Sequence, residues 1–455
     1  MASITIVNSA FPSRRPYFPI GSLIVAASIE HAGYRVNFRD YQLATGENYA
    51  SPTAFAKFLV ECGSEIVGIT VFANTLPTVL LGIQLLKERS PDVKVVLGGP
   101  GVSGLSERIM ALSPVDVVAR GEGEYTAPRV VRAFLGNEEF SSISGITYRQ
   151  GWDVISNPDS PRAKNLDLLP FPGYNLVNLV DYGNEVGIIT SRGCPYQCSF
   201  CAKPIWEHGV SFRTIPNVIS ELSALKGTIR KLYISDDSFV SVRERVLQFC
   251  SDYLGSGIAT EWECTGRVGL VDDTLLSLMA AAGCTDIFFG IESGSNRILS
   301  RISKKFVIED AKRDLLLASQ KIRRVHVSFI WGFPFEDLDD FQRTIYFILE
   351  NTARNPFNPV MTLATPFISS PLYNEFKDRL VFLPDNHYNG STLGRGETLE
   401  KYPEMLDFVK RHPDVFPSFL YFDHADFGEK RDIVDRIIAN QKIGEGSRHG
   451  GRDNR

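Results

Sequence analysis

The sequence has no long apolar run, and none of its hydrophobic stretches is long enough to span a lipid bilayer. Its first residues, MASITIVNSAF, lack the basic start and extended apolar stretch of a secretion signal. It also has no excess of positive charge, since the net charge is -5 and the pI is near 5.9. Nucleic acids and anionic membranes attract basic surfaces. We therefore expect neither as a partner, and instead expect a cytoplasmic protein with a small-molecule substrate.

Cysteine is scarce, with seven in 455 residues. An odd, scattered set argues against a disulfide framework and favours reduced thiols. Three of them, Cys194, Cys198 and Cys201, lie close together and suggest a metal or redox site. The other four lie in apolar or strand-like segments, where we expect buried core side chains: Cys62, Cys250, Cys264 and Cys284.

Residues 1–140 alternate strand-like and helix-like patterns. Strands are predicted at residues 3–7, 34–38, 65–71, 93–97 and 115–119, and helices at residues 21–32, 78–89 and 129–135. This alternation predicts a doubly wound parallel sheet, which binds ligands beyond the carboxyl ends of its strands. Two strand ends carry glycine-rich turns, at residues 98–101 and 121–124, which suit either tight turning or close approach to a cofactor.

Residues 141–185 are rich in Pro, Asn and Asp and are predicted to be a linker. A second αβ series then fills residues 186–375. Its strands are predicted at residues 186–190, 231–235, 259–265, 287–291, 325–331 and 359–364. The series lacks a second dinucleotide signature, which favours a partial (β/α)6 barrel. Residues 376–455 are expected to form a small C-terminal region with a helix at 430–441 and a disordered tail, so the fold class is α/β.

The three close cysteines are spaced by three and then two residues. Such thiolates can bind three irons of a [4Fe-4S] cubane and leave the fourth iron without a protein ligand. No fourth cysteine or histidine follows at zinc-like spacing. His208 lies nearby, so a zinc site of three cysteines and one histidine is the structural alternative.

The run Cys194-Pro-Tyr-Gln-Cys198-Ser-Phe-Cys201 resembles the CxxxCxxC signature of the radical S-adenosylmethionine (SAM) superfamily. The resemblance implies that these thiolates hold a [4Fe-4S] cluster that binds and reductively cleaves SAM. It also implies an external one-electron reductant of the flavodoxin or ferredoxin type. Phe200 matches the aromatic residue that precedes the third cysteine in the family.

The same resemblance assigns residues at successive strand ends to SAM. Asp237 would bind the amino group, Glu292 with its neighbours the ribose and carboxylate, and the turn after the fifth strand the adenine. The residues implied are Asp237, Gly290, Glu292, Ser293, Gly332, Phe333 and Pro334, with Arg267 and Arg213 where related sequences carry arginine. Carboxylates suit the ammonium and hydroxyl groups of SAM, and arginine suits its carboxylate. The alternative for the acidic residues is that they are solvated helix caps.

Residues 1–140 resemble the cobalamin-binding domain that precedes the radical domain in one large subgroup. The matching runs are residues 19–27, 66–70, 95–100 and 120–124. Where relatives often read Gly-Gly-Pro-His, this chain has Gly101, and Gln42 stands where a lower axial histidine would be expected. Many members bind cobalamin without that histidine. The resemblance therefore allows cobalamin as a cofactor, and a domain used only for packing or substrate docking is the alternative.

Three functions fit these features. The first, and our main expectation, is a lyase that abstracts hydrogen from a natural product and removes water from a 1,2-diol of an amino sugar. Radical SAM diol dehydratases of aminoglycoside antibiotic biosynthesis, that of apramycin included, share this domain order. Glu207, His208 and Asp236 are the candidate proton donors to the departing hydroxide. The alternatives are a cobalamin-dependent methyltransferase and a non-enzymatic iron-sulfur sensor.

Overall fold

The computed structural model describes residues 3–12, 16–44, 48–102, 104–202, 209–354, 357–383 and 399–437. Two largely parallel β-sheets follow each other along the chain, and helices flank both. The expected α/β class is therefore confirmed. None of the helices within these residues is both long and apolar enough to cross a membrane.

The first sheet is built from short runs rich in Val and Ile, which suit strands covered on both faces. Its strands are β1 (Ile4–Asn8), β2 (Val36–Asp40), β3 (Ile66–Thr70), β4 (Lys94–Gly98), β5 (Val117–Ala119), β6 (Ile146–Gln150) and β7 (Asp153–Ser156). Within the described residues they lie in the order β2-β1-β3-β4-β5-β6-β7. The first five are parallel, and β6 and β7 add an antiparallel hairpin.

In the described residues, four helices connect the parallel strands and a fifth follows β5. They are α1 (Ile20–His31), α2 (Pro52–Val60), α3 (Leu76–Arg89), α4 (Ser106–Leu112) and α5 (Gly123–Phe134). Side chains of α2 and α3 form an apolar core on one face of the sheet, and those of α1 and α5 form another on the opposite face. This is the doubly wound arrangement predicted from the sequence.

The second sheet is parallel throughout. Its strands are β8 (Glu185–Ile188), β11 (Lys231–Ile234), β12 (Glu261–Gly266), β13 (Cys284–Glu292), β14 (Arg324–Trp331) and β15 (Asn358–Leu363), while β9 (Ser191–Arg192) and β10 (Ser211–Phe212) form a separate short pair. Its order is β15-β14-β13-β12-β11-β8, with no pairing between β8 and β15 in the described part of the chain. The sheet is thus open at one side, as a partial barrel requires.

Helices cover the outer face of this sheet. They are α6 (Ile215–Ala224), α7 (Arg243–Gly255), α8 (Asp273–Ala281), α9 (Asn296–Arg301), α10 (Ile308–Lys321) and α11 (Leu338–Arg354). The alternate strand residues that face these helices are the buried apolar ones, for example Leu232, Ile234, Ile287 and Phe289. Functional side chains are therefore left to the other face and to the carboxyl-end loops.

The C-terminal region packs against both sheets. Its elements are α12 (Pro371–Phe376), β16 (Leu380–Phe382), α13 (Pro403–Arg411), β17 (Leu420–Phe422) and a helix over residues 427–437, here α14. Met405 and Phe408 of α13 join the core beside α2 and α3. Phe427 of α14 stacks on Trp331 of β14, with ring centroids 5.6 Å apart. The region thus joins the two sheets from one side.

One feature differs from the sequence expectation. Strands β6 and β7 lie inside residues 141–185, which were expected to be a linker, and they extend the first sheet. Tyr148 of β6 is buried and stacks on Phe140, with centroids 5.4 Å apart. The start of the assigned linker is therefore a packed part of the first sheet. The expected disordered tail lies outside the described residues.

Candidate active site

The three close cysteines lie on the loop that follows β9. Cys198 is buried, Cys194 and Cys201 are half-buried, and the three thiols form no disulfides. The Cys201 amide donates to the Cys198 carbonyl at 3.1 Å, which folds the end of the loop into a turn. Among the described residues, no three His, Cys, Asp or Glu side chains are already grouped as a metal-ligand set. One loop carries the three thiols, and their assignment as cluster ligands stays a prediction.

Asp236 fixes the chain immediately before this loop. Its carboxylate accepts hydrogen bonds of 2.5–3.0 Å from the amides and hydroxyls of Thr190 and Ser191. The side chain is buried, and burial raises its pKa, while these hydrogen bonds act in the opposite direction. These hydrogen bonds position the start of the cysteine loop, and the expected role of Asp236 as a proton donor stays a prediction.

Asp237 points to the opposite side from Asp236, because side chains alternate along an extended chain. It is exposed, and its Oδ2 accepts the Gly193 amide at 3.1 Å. Asp237 and Gly193 both line the large cavity described below. The carboxylate thus lies beside the cysteine loop, where the family resemblance expects the amino group of SAM.

Glu292, at the end of β13, forms a buried ion pair with Lys304. The Lys304 Nζ lies 3.0 Å from Glu292 Oε1, and the Ser328 hydroxyl donates to Glu292 Oε2 at 2.9 Å. Gly290 makes room for this pair, since a side chain there would overlap the Glu292 carboxylate. Sequence reasoning identified Glu292 and Gly290 and missed Lys304, the cation that faces them.

The backbone around this pair is held in an unusual conformation. Glu292 has a φ of +74°, and Ser303 and Lys305, on either side of Lys304, have φ values of +60° and +58°. Residues other than glycine rarely adopt this left-handed region, and each such residue costs on the order of 1–3 kcal/mol. Such strain concentrates at functional sites, and here it directs Lys304 toward Glu292.

Aromatic side chains of the cysteine loop contact two cations. The Arg267 guanidinium stacks on Tyr196 at 3.4 Å from the ring centroid, and its Nη2 donates to the Lys304 carbonyl at 2.5 Å. The Lys304 Nζ lies 5.7 Å from the centroid of Phe200. The loop, Arg267 and the Glu292–Lys304 pair therefore form one continuous site.

The turn after β14 closes the site on another side. Gly332 has a φ of +80°, and its amide donates to Glu336 Oε2 at 2.8 Å. Phe333 is fully buried, 6.1 Å from Phe200 between ring centroids, and Pro334 is buried beside it. Phe333 and Pro334 therefore offer backbone rather than exposed side chains to a nucleotide base.

Ser293 serves the fold of its own turn. It is fully buried, its hydroxyl shares a hydrogen bond with Thr344 at 3.2 Å, and it accepts the Ser295 amide at 3.1 Å. The Ser293 hydroxyl thus positions the segment that follows Glu292, and the expected contact of Ser293 with SAM stays a prediction.

Arg213 also has a structural environment. It is buried, it pairs with Glu221, and it donates to the Ile189 carbonyl at 3.0 Å. It thereby ties α6 to the chain that leads into the cysteine loop. Two of the expected proton donors, Glu207 and His208, lie outside the described residues.

A cavity of about 340 Å³ lies between the first sheet, helices α1 and α5, and the start of the cysteine loop. Apolar side chains line its interior, among them Ile4, Ile6, Ile29, Ile66, Val96, Val130 and Val131. Its rim carries Glu122, Glu124, Arg162, Arg192 and Asp237. A large apolar slot with a charged rim at the carboxyl edge of a parallel sheet is typical of a ligand site.

The cavity suits part of a large cofactor that combines an apolar ring system with polar groups at its edges, as cobalamin does. Glycines keep its walls open, since a side chain added at Gly21 or Gly121 would meet no atom within 4 Å. Neither Gly101 nor Gln42, the positions where an axial histidine was considered, supplies an axial ligand for cobalamin. Gly101 packs so closely on the backbone of Phe72 that a side chain there would overlap it. The Gln42 amide is used by Tyr17 and Asp40, away from the cavity lining.

Comparison with known families agrees with the two-part organisation. Residues 13–131 match the B12 binding domain, and residues 188–348 match the Radical SAM superfamily. These segments contain strands β2 to β5 of the first sheet and strands β11 to β14 of the second, so the expected subgroup is confirmed. Such a chain uses a [4Fe-4S] cluster and SAM, and its first domain is of the kind that binds cobalamin.

Two curated relatives and one solved structure are similar to this chain across both domains. An uncharacterized methyltransferase of Pyrococcus horikoshii is 32% identical over 301 residues, 64% of this chain and 65% of the relative. The anaerobic magnesium-protoporphyrin IX monomethyl ester cyclase of Rubrivivax gelatinosus is 26% identical over 364 residues, 74% and 64% of the two chains. The chain therefore spans just under two thirds of the length of these relatives.

The solved structure is that of the radical SAM methyltransferase TsrM from Kitasatospora setae, with tryptophan substrate and a SAM analog bound. It superposes with a TM-score of 0.74 at 16% identity, over 96% of this chain and 88% of that one. At this identity the likeness establishes a shared fold, from the first sheet through the C-terminal region.

Proposed function

Because the chain belongs to the radical SAM superfamily, in the subgroup with an N-terminal B12-binding domain, we propose that it is a cobalamin-dependent methyltransferase for a small molecule. The observation that carries the proposal is the cavity shared by both domains. Gly98 and Gly121 of the first sheet line it, and so do Gly193 and Asp237 beside the cysteines. A cofactor held there lies next to the SAM site, so a methyl group has a short path between them.

The residues at the second sheet divide the recognition of SAM by charge. The thiolates of Cys194, Cys198 and Cys201 would hold the cluster, which would leave one iron available to SAM. Asp237 would accept a hydrogen bond from the amino group of SAM. Lys304 would bind the carboxylate, because it is a buried cation whose Nζ lies 5.7 Å from the ring centroid of the cysteine-loop residue Phe200.

Three further groups complete the SAM site. Glu292 accepts the ribose hydroxyls, for which its buried carboxylate is held by Lys304 and Ser328. Arg267 keeps the loop in place by stacking on Tyr196. The backbone of the turn at Gly332 receives the adenine, and the pair of Gly332 amide and Glu336 carboxylate holds that turn.

Cobalamin, when bound, supplies a carrier for the methyl group between SAM and substrate. The protein contributes orientation and exclusion of water. The apolar slot between α1, α5 and the first sheet would bury an apolar part of the cofactor, and the charged rim would be available to its amide groups.

Methyl transfer is better supported than the dehydration that we expected from the sequence. The relatives reported above are named as methyltransferases and a cyclase. The lack of an axial histidine does not weigh against cobalamin, since many members of the subgroup bind it without one; here Gly101 packs on the Phe72 backbone and Gln42 bonds to Tyr17. Loss of water from a diol thus becomes an outcome to be tested.

The test uses anaerobically reconstituted protein with hydroxocobalamin, methyl-deuterated SAM and a chemical reductant. We expect about one corrinoid bound per chain. We also expect S-adenosylhomocysteine to form as the deuterated methyl group is transferred out of SAM. The Cys198→Ala variant is the control for cluster dependence. A protein that binds no corrinoid and yields only 5'-deoxyadenosine would contradict methyl transfer and support hydrogen abstraction.

A further inference from the structure

Two segments from different sheets meet through charged side chains at the rim of the cavity. Arg192, two residues before Cys194, lies 3.1 Å from Glu122 Oε1 through its Nη1, and its Nη2 pairs with Glu124. Glu122 and Glu124 belong to the turn that begins α5. These are the glycine-rich turn and the cysteine run that the sequence singled out separately. Their contact is direct.

The contact is largely shielded from water. The side chain of Arg192 is 17% exposed, and those of Glu122 and Glu124 are 5% and 6% exposed. The carboxylates raise the pKa of Arg192 against the effect of burial, so the guanidinium remains charged. Buried charges of this kind persist only when their remaining polar atoms are satisfied. Glu122 meets that condition, because its Oε2 accepts the Ala163 amide at 2.5 Å.

The backbone of the same residue is held from the other side by Arg162. The Arg162 guanidinium donates to the Arg192 carbonyl at 2.7 Å and to the Gly209 carbonyl at 2.9 Å. Gly193 has a φ of +92°, and a side chain there would overlap both Gly209 and Arg162. The residues that lead into Cys194 are thus fixed by their side chain and by their backbone.

The contacts of Arg192 lie between the cavity and the cysteine loop, and we call them the junction. Arg162, Arg192, Glu122 and Glu124 all line the cavity, and together they carry two positive and two negative charges. The backbone of Gly193 sets the direction of the chain into Cys194, and the Arg162 guanidinium and the Gly209 carbonyl lie against it. A substitution that moves these side chains at the rim of the cavity should therefore also move the backbone that leads into Cys194.

We propose that Arg192 is a positioning residue that joins the two sites. Its ion pairs with Glu122 and Glu124 hold Cys194 in place and at the same time shape the rim against which the cavity occupant lies. The second half rests on the function proposed above, because it takes that occupant to be a corrinoid. The first half concerns only this chain's own residues. The claim is that one substitution at 192 alters both sites.

The experiment measures each site without turnover. In cluster-free protein, mass spectrometry follows the rate at which iodoacetamide alkylates Cys194, with Cys201 of the same loop as internal reference. A separate absorbance titration with hydroxocobalamin measures occupation of the cavity. Arg192→Met removes the junction. Arg192→Lys keeps the charge but loses the two-pronged contact, and it serves as the conservative variant if the first fails to fold.

Arg324→Met is the matched control. Arg324 pairs with buried Asp286 at the start of β14, away from the cavity lining, so the variant also breaks an ion pair of a buried carboxylate. It should leave both readouts unchanged.

We expect Arg192→Met to raise the alkylation rate of Cys194 relative to Cys201 about fivefold and to weaken hydroxocobalamin binding about tenfold. Arg192→Lys should give smaller changes in the same directions. An unchanged Cys194 rate, or an altered rate with unchanged affinity, would overturn the joint role of Arg192. Failure of the wild-type protein itself to bind hydroxocobalamin would instead contradict the proposed function, and the alkylation rates would still decide the positioning role.

Discussion

Filling the cavity from Gly21 should separate cofactor binding from folding. Gly21 lies in the first turn of α1 and lines the cavity, and a Cβ there would meet no atom within 4 Å. The Cβ of a leucine at this position therefore has open space, and we expect the rest of the side chain to extend into the cavity. It occupies part of a volume of about 340 Å³ that the cofactor needs.

The size of the effect follows from the cost of overpacking. Forcing extra methylene groups into a packed site costs about 1–3 kcal/mol. Hydroxocobalamin should then bind to Gly21→Leu roughly five- to 150-fold more weakly than to the wild type. Stability should not fall, since leucine favours a helix over glycine by up to about 0.8 kcal/mol. Titration by absorbance and thermal unfolding measure the two quantities.

Gly255→Leu is the matched control for this prediction. Gly255 ends α7, also has no atom within 4 Å of an added Cβ, and does not line the cavity. It should leave hydroxocobalamin affinity unchanged. Equal affinity of wild type and Gly21→Leu would refute our placement of the cofactor, and so would a loss of affinity matched by Gly255→Leu.

Three further predictions address the second sheet. Asp236→Asn should lower stability by about 2–3 kcal/mol and reduce iron loading after reconstitution, because an amide cannot accept all the hydrogen bonds that the carboxylate receives; unchanged thermal unfolding would contradict it. Lys304→Met should weaken SAM binding by about tenfold or more in equilibrium dialysis while the iron content stays normal, and equal binding would exclude the carboxylate contact. Burial raises the pKa of Glu336 from 4.5 to about 7, so the folded protein binds this proton more tightly than the unfolded chain does. The resulting contribution to the free energy of unfolding is complete below pH 4.5 and is lost as the pH rises toward 7. Relative to Glu336→Gln, the wild type should therefore lose up to about 3 kcal/mol over that range, and parallel pH curves would show that Glu336 does not titrate there.

The sequence was sufficient to predict the parallel strands of both sheets, because these strands are apolar runs at regular spacing. The predicted strand at residues 231–235 and the observed β11 (Lys231–Ile234), for example, differ by one residue. The hairpin of β6 and β7 was missed because the polar, proline-rich residues after it dominate the composition of that region. Its burial depends on Phe140 and on the edge of β5, which are tertiary contacts.

Part of the site could have been read more closely. Leu232 and Ile234 alternate as buried residues along β11, and the same alternation buries Asp236 and exposes Asp237. That signal was present in the sequence. It would have separated Asp236, which positions the loop, from Asp237, which is proposed to bind SAM.

Other parts could not be predicted. Lys304 comes between two residues with positive φ, and nothing in Ser-Lys-Lys indicates a left-handed turn. Lys430, which is fully buried and donates to Glu336 from α14, lies 94 residues away from it in the chain. Such contacts depend on how the C-terminal region packs, which local patterns do not encode.

The most direct test of the account is an EPR titration of anaerobically reconstituted, reduced protein with SAM. A cluster held by Cys194, Cys198 and Cys201 has one iron open, so we predict close to four irons per chain and a low-temperature signal that changes when SAM is added. The Lys304→Met variant should need more SAM for the same change. Tightly bound zinc instead of iron, or a cluster signal that SAM leaves unaltered, would contradict the account.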